Sequence, residues 1–184
     1  MMQSHTHPEA QTPETWTGRP IVLVGLMGVG KSTVGRRLAA RLKLPFADAD
    51  HEIEAAAGMP ITEIFATYGE PYFRDGERRV ISRLIDGTPK VIATGGGAFI
   101  NDETRALILA DAVSVWLRAH PDILVERVRR RDNRPLLQGR DAGAVLRELA
   151  RVRDPIYALA EHHVTSRKGP HDLTVSSILE AIGR

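Results

Sequence analysis

The sequence predicts a three-layer α/β domain, in which helices cover both faces of a five-stranded parallel sheet. Short β-branched runs alternate along the chain with longer segments that repeat apolar residues every three or four positions. Glycine or acidic residues follow most of these runs, as is typical where buried parallel strands end. The 184 residues suffice for one well-buried domain and are too few for two.

Five apolar runs are the predicted strands: residues 21–24, 45–47, 91–94, 112–117 and 163–165. Helical segments lie between them. The first has Val34, Leu38 and Leu42 one or two turns apart, and the last repeats apolar residues at i, i+3, i+4 and i+7 from Val175. Because ligands of such sheets bind outside the carboxyl ends of the strands, we expect the functional residues at that edge.

Composition excludes several classes of function. The chain has no cysteine, so disulfides, thiolate nucleophiles and cysteine-based zinc sites are ruled out. The 25 basic residues against 23 acidic ones do not favour a nucleic-acid surface. No apolar run approaches the roughly 20 residues that span a bilayer, and the first residues do not resemble a signal peptide. We therefore expect a cytoplasmic protein without nucleic-acid or membrane partners, and a monomer.

The first 19 residues differ from the rest of the chain. They are polar, contain prolines and show no periodicity, which predicts a disordered tail before a domain over residues 20–184.

The segment GLMGVGKS, residues 25–32, matches the phosphate-binding pattern G-x-x-x-x-G-K-[ST] at every fixed position. An apolar run precedes it and an amphipathic segment follows. Lys31 would reach the β and γ phosphates of a nucleotide, and Ser32 would ligate Mg²⁺. We expect a nucleotide to be bound by Gly28, Val29, Gly30, Lys31, Ser32 and Thr33. The alternative, a glycine-rich turn that only links strand to helix, does not explain the lysine and serine.

This phosphate-binding loop, or P-loop, indicates nucleotide binding but does not identify the reaction. The rest of the sequence excludes some of the possible reactions. A GTPase would carry an Asn/Thr-Lys-x-Asp segment, which is absent, and a motor or helicase would need a longer chain. A kinase of a small molecule fits the length.

Asp48 and Asp50 follow the second run with one residue between them. In an extended segment this spacing points both carboxylates to one face, near the phosphates. A kinase needs one carboxylate to help hold the metal and another to orient or deprotonate the attacking hydroxyl. The alternative is that Asp50 caps the helix predicted from residue 51 to residue 57, and it could do both.

Three consecutive glycines, Gly95, Gly96 and Gly97, follow the third run. They form either a tight turn or a close approach of bare backbone to a substrate. Arg74 and Arg153 cannot be distinguished by spacing from solvated surface arginines.

Six segments together resemble the shikimate kinase family: IVLVGLMGVGKSTVGRRLA, LPFADADHEIE, GMPITEIFATYGEPYFRDGE, VIATGGGA, RPLLQGRD and RDPIY. The resemblance covers about residues 21–184. It implies a P-loop NTPase fold like that of nucleoside monophosphate kinases, with a substrate-binding insert near residues 51–84 and a lid near 129–140. The implied reaction moves the γ-phosphoryl group of ATP to the 3-hydroxyl of shikimate, with Mg²⁺.

The resemblance also implies the roles of individual residues on the substrate side. Asp50 binds the substrate hydroxyls and is the candidate base. Arg74 and Arg153 hold the substrate carboxylate, and Glu77 steadies Arg74. Gly96 lies at the substrate, with Gly95 and Gly97 beside it.

On the nucleotide side, the resemblance places Asp48 near the magnesium and makes Arg134 the lid arginine over the ATP phosphates. Lys31, Asp50 and Arg134 are then the catalytic residues. An arginine of the run 129–131 packs on the adenine, for which we choose Arg130, and Pro170 is the candidate for the opposite face.

Two other readings remain open. A kinase of another polyhydroxy acid, such as gluconate, needs the same P-loop and cationic groups. A regulatory nucleotide-binding module without catalysis is disfavoured by the presence of Lys31, Ser32, Asp48, Asp50 and Arg134.

Overall fold

The computed structural model describes residues 18–130 and 141–183. Most of the tail predicted for residues 1–19, and residues 131–140 of the predicted lid with Arg134, lie outside the described residues. No helix of the two described segments is long and apolar enough to cross a membrane.

Five parallel strands form one sheet, which confirms the predicted fold class. The strands are β1 Ile21–Val24, β2 Phe46–Asp48, β3 Val91–Ala93, β4 Val113–Arg118 and β5 His162–Thr165. Their spatial order is β2-β3-β1-β4-β5, so β1 lies in the centre and pairs with β3 and β4. The predicted boundaries of the other four strands differ from the observed ones by a residue, whereas those of β1 agree.

Eight α-helices cover this sheet in the described residues. They are α1 Lys31–Leu42, α2 Ala49–Ala57, α3 Ile61–Tyr68, α4 Glu70–Leu84, α5 Asp102–Asp111, α6 Pro121–Arg129, α7 Ala142–Tyr157 and α8 His171–Ala181. A short 3₁₀ helix, Ala98–Ile100, precedes α5. Helices α2, α3 and α4 all lie between β2 and β3, where a parallel crossover needs only one helix.

Two apolar clusters stabilise these elements. The larger one surrounds β1, whose four residues are fully buried, and includes residues of α1, α5, α6, α7 and α8. The smaller one lies among α2, α3 and α4 and consists of Ile53, Ile64, Phe73 and Val80. The three helices between β2 and β3 thus have an apolar centre of their own.

A buried hydrogen bond aligns the ends of β1 and β3. The Thr94 hydroxyl donates to the Leu23 carbonyl over 2.8 Å, and the two groups are 71 positions apart in the chain. The glycine turn that follows Thr94 is thereby held next to the phosphate loop that follows β1.

Candidate active site

A cleft of about 550 Å³ opens at the carboxyl edge of the sheet. The phosphate loop forms its floor, and residues from α2, the glycine turn after β3, α6 and the β5–α8 connection form its walls. The predicted site residues that line it are Gly28, Gly30, Lys31, Ser32, Thr33, Asp50, Gly95, Gly96 and Arg130. Residues predicted from separate parts of the sequence therefore meet in one cleft.

Lys31 is the first residue of α1, and its side chain lies against the phosphate loop. Its Nζ donates to the carbonyl of Gly25 over 2.6 Å and to that of Leu26 over 3.0 Å. Gly30 caps α1 at φ 95°, a conformation that suits glycine, and contributes no side-chain hydrogen bond. The first N–H groups of α1 and the ammonium thus converge on the cleft, as an anion site requires.

Val29 is the loop residue whose position differs most from its predicted role. Its side chain is buried in the main core. Its N–H contacts the Leu26 carbonyl over 3.4 Å, and its carbonyl accepts from Arg127 over 3.0 Å. Both backbone groups of Val29 are therefore paired within the protein.

Asp48 connects the phosphate loop to helix α2. Its Oδ2 accepts from the Ser32 hydroxyl over 2.6 Å. Its Oδ1 accepts from the N–H of Asp50 over 3.0 Å and that of His51 over 3.4 Å, which makes Asp48 the N-cap of α2.

The prediction that both aspartates lie on one face of an extended segment is therefore wrong. Asp50 does not follow Asp48 in an extended segment but lies in the first turn of α2, and the capping residue is Asp48, not Asp50. A helix already begins at Ala49 because the Asp48 carboxylate satisfies the first N–H groups.

The Ser32–Asp48 pair fits a magnesium ion. Both residues offer hard oxygen ligands beside the phosphate loop, and Mg²⁺ is typically held by one or two protein oxygens together with phosphates and waters. Within the described residues no group of three or more acidic, histidine or cysteine side chains forms a metal cage.

Asp50 faces the glycine turn across a narrow gap. A Cβ atom built on Gly95 would lie 2.8 Å from Asp50 Oδ1 and 3.5 Å from Glu77 Oε2. Any side chain at position 95 would displace Asp50, so this carboxylate can approach the turn only because it is bare backbone.

Arg74 lies against the same turn and is held by a buried carboxylate. Its Nη1 donates to Glu77 Oε1 over 2.7 Å, and the Glu77 side chain is 1% exposed. Burial raises the pKa of Glu77, the charge and hydrogen bond of Arg74 oppose this, and Asp50 adds to the rise. A Cβ on Gly97 would lie 2.6 Å from Arg74 Cζ.

Arg153 approaches the turn from helix α7. A Cβ on Gly96 would lie 3.5 Å from Arg153 Nη1. Arg74 from α4 and Arg153 from α7 thus flank neighbouring glycines, although neither lines the 550 Å³ cleft itself. Two guanidinium groups on one turn suit a carboxylate ligand, because each presents a planar fork of donors.

The nucleotide end of the cleft includes a residue that the sequence did not single out. Arg127 of α6 donates to the carbonyls of Gly28 and Val29 over 3.5 and 3.0 Å, to Ser166 Oγ over 3.3 Å and to the Arg167 carbonyl over 3.4 Å. A single arginine in an amphipathic helix is usually solvated. Arg127 lies one helical turn after the buried Leu124, and this position was the sequence feature that could have indicated a role for it.

Of the two residues predicted at the adenine, only one lines the cleft. Arg130 does so, but it is 76% exposed and pairs with Glu126 over 3.0 Å. Pro170 caps α8 and is exposed, whereas its neighbours Gly169 and His171 line the cleft. Burial, followed by the charges of Arg127 and Arg37, lowers the pKa of His171.

These features define a class of protein. A strand, a glycine-rich loop with lysine and serine, and a helix form a phosphate site, and a carboxylate lies across from it on the wall of the same cleft. Two arginines flank the turn beside that carboxylate. The arrangement is that of a P-loop phosphotransferase with a small anionic acceptor.

Comparison with known proteins gives the family. The family model described as shikimate kinase matches residues 27–183, and the chain belongs to this family. A shikimate kinase of Caulobacter vibrioides is 63% identical over 164 residues, which are 89% of this chain and 82% of that protein. One of Bradyrhizobium diazoefficiens is 58% identical over 175 residues, 95% of this chain and 84% of that protein.

A solved structure agrees with this assignment. The shikimate kinase of Acinetobacter baumannii in complex with shikimate superposes with a TM-score of 0.85 at 38% identity. The alignment covers 91% of this chain and 94% of that one.

Proposed function

We propose that this chain transfers the γ-phosphoryl group of ATP to the 3-hydroxyl of shikimate, giving shikimate 3-phosphate and ADP in chorismate and aromatic amino-acid biosynthesis. The observation that carries the proposal is the convergence of Arg74, Arg153 and Asp50 on the Gly95–Gly97 turn, beside the phosphate loop. A cyclic hydroxy acid offers one carboxylate for the arginines and hydroxyls for the aspartate.

On the acceptor side, the two arginines fix the orientation of the acid. Each can donate two parallel hydrogen bonds to a carboxylate, so two forks from different helices leave little rotational freedom. Asp50 then accepts from a substrate hydroxyl and is the group available to take its proton. Glu77 holds Arg74 in place from the buried side.

On the phosphoryl side, Lys31 and the N-terminus of α1 bind the phosphate oxygens whose negative charge grows during transfer. Ser32 and Asp48 would hold Mg²⁺, which supplies charge neutralisation between the β and γ phosphates. Arg134 remains the proposed lid arginine, by resemblance, and residues 129–140 the proposed lid. Closure of such a lid would exclude water, the competing phosphoryl acceptor.

At the adenine of the nucleotide, the packing of Arg130 on one face and of Pro170 on the other remains a proposal from the resemblance. Arg127 is a further candidate, because it lies in the cleft wall next to the phosphate loop. We also propose the cytoplasm as the compartment and a monomer as the working form, with residues 51–84 as the substrate-binding insert.

The test is ADP release from Mg²⁺-ATP with shikimate, quinate and gluconate measured in parallel. We expect release that depends on shikimate and exceeds the rate with gluconate by orders of magnitude. Lys31→Met should abolish release with every acid, which shows that the signal comes from this site. Equal turnover of shikimate and gluconate would refute the substrate while leaving the kinase class intact.

A further inference from the structure

Tyr157 connects the last turn of α7 to the glycine turn. Its side chain is fully buried, and its hydroxyl donates a hydrogen bond to the Gly96 carbonyl, 61 positions earlier in the chain. The ring packs near Trp116 of β4, with centroids 6.0 Å apart. The phenol therefore has a fixed partner at the point where the predicted substrate residues meet.

The hydrogen-bond ladder of α7 lacks one bond in this last turn. Pro155 lies inside α7, between Arg153 and Tyr157. Proline lacks an N–H, so one hydrogen bond of the helix ladder is missing where these two side chains project. The Tyr157–Gly96 hydrogen bond is a tertiary contact that ties this turn to the glycine turn.

Arg153 lies one helical turn before Tyr157 and interacts with it. Burial raises the pKa of Tyr157 to about 12, while the charge of Arg153 and a side-chain hydrogen bond from it oppose the rise. The phenol is thus neutral at physiological pH and its hydroxyl donates to Gly96, with Arg153 near enough for its charge to lower the pKa of Tyr157.

Gly96 lies between Arg153 and the phosphate loop. A Cβ built on it would lie 3.5 Å from Arg153 Nη1 and 3.5 Å from the backbone nitrogen of Met27. A shift of the Gly96 peptide would therefore change two distances together, its distance to Arg153 and its distance to the phosphate loop.

We propose that Tyr157 is a positioning residue for the acid substrate, whose hydroxyl sets the distance between Arg153 and the Gly95–Gly97 turn. The proposal rests on the proposed function, in which Arg153 binds the substrate carboxylate. Tyr157 does not touch substrate. It acts through Arg153 and Gly96, and its loss should weaken binding of the acid while sparing the nucleotide.

The test is Tyr157→Phe, which keeps the ring and removes the hydroxyl. Loss of one buried hydrogen bond should raise the KM for shikimate by about three- to tenfold, and the KM for ATP should stay within about twofold of wild type. An unchanged KM for shikimate, or an equal rise for both substrates, would overturn the proposal.

Ser114→Ala is the matched control. Ser114 of β4 is fully buried, and its Oγ accepts a hydrogen bond of 2.8 Å from the Glu161 N–H. Neither residue lines the cleft. Both variants lose one buried hydroxyl hydrogen bond, so both should lower the melting temperature, but Ser114→Ala should leave both KM values unchanged. If Ser114→Ala raised the KM for shikimate as much as Tyr157→Phe, Tyr157 would have only a general stabilising role.

A double-mutant cycle with Arg153→Lys tests the route of action. If Tyr157 acts through Arg153, the double variant should raise the KM for shikimate by clearly less than the product of the two single effects. Multiplicative effects would show independent roles and overturn the proposal. Should Tyr157→Phe be too unstable to assay, the same comparison is made for all variants at a lower temperature at which its melting curve shows it to be folded.

Failure of the proposed function has a different signature. It would appear as absence of shikimate-dependent turnover in the wild type, before any variant is compared.

Discussion

At the scale of single residues, Asp48 shows how one carboxylate can serve two neighbours. Oδ2 faces Ser32 at the phosphate loop, and Oδ1 caps the helix that carries Asp50. The position of the residue that faces the acceptor therefore depends on the residue that faces the metal. Asparagine caps helices about as well as aspartate, so a single substitution can remove the charge and retain the cap.

This difference predicts separate phenotypes for the two aspartates. Asp48→Asn should leave the melting temperature nearly unchanged and weaken the metal site, so that added Mg²⁺ recovers part of the lost rate. Asp50→Asn removes the candidate base, which is worth about 10²–10⁴-fold in kcat, and extra Mg²⁺ should not help. A drop at the low end is consistent with a loose transition state, which needs little base assistance.

The measurement is kcat for both variants across a Mg²⁺ titration with shikimate saturating, together with calorimetric binding of ADP at the same Mg²⁺ concentrations. Only Asp48→Asn should change the Mg²⁺ dependence of ADP binding. Rescue of Asp50→Asn but not of Asp48→Asn by magnesium would mean that the two roles are reversed.

At the scale of elements, helix α6 does more than close the sheet. Arg127 ties it to the phosphate loop and to the β5–α8 connection, whereas Arg130, one position past its end, pairs only with Glu126 among the hydrogen bonds of the described residues. The two arginines differ in burial as well as in partners, since Arg130 is 76% exposed. Surface ion pairs of that kind contribute little to stability, because water and salt screen them.

We therefore expect Arg127→Met to raise the KM for ATP by about tenfold or more, because hydrogen bonds from a charged group to the loop carbonyls are lost. The KM for shikimate should change little. Arg130→Met is the control, with an expected change of less than about threefold. Steady-state kinetics with each substrate varied in turn decides between them, and the opposite ranking would favour Arg130 as the nucleotide-binding residue.

How well a feature can be predicted from the sequence depends on whether local composition or a specific contact forms it. Buried strands such as Ile21–Val24 are apolar throughout, so their composition alone predicts them. The start of α2 depends on one capping hydrogen bond from Asp48, and the spacing of two aspartates did not reveal it. Arg127 and Tyr157 contact groups 98 and 61 positions away, and local sequence, including the place of Arg127 one turn after Leu124, does not identify such partners.

At the scale of the whole molecule, the cleft is where five separate parts of the chain meet: the phosphate loop, α2, the glycine turn after β3, the α6 segment and the β5–α8 connection. A nucleotide bound there would contact several of these parts, and single side chains such as Arg127 and Asp48 join two of them to the phosphate loop. Ligand binding should therefore stabilise the fold as a unit, since the unfolded chain has no such site.

The same linkage tests whether the tail predicted for residues 1–19 contacts the domain. At a Mg²⁺-ADP concentration of about 100 times Kd, linkage stabilises the native state by about 2.7 kcal/mol. For a chain of this size that raises the melting temperature by about 5–10 °C.

Removal of residues 1–17 should leave the melting temperature, the shift with Mg²⁺-ADP and the turnover nearly unchanged. Differential scanning calorimetry of both chains, with and without Mg²⁺-ADP, measures all but the turnover. A lower melting temperature for the shortened chain would show that the tail docks on the domain, and a smaller shift at unchanged melting temperature would show that it contributes to the nucleotide site.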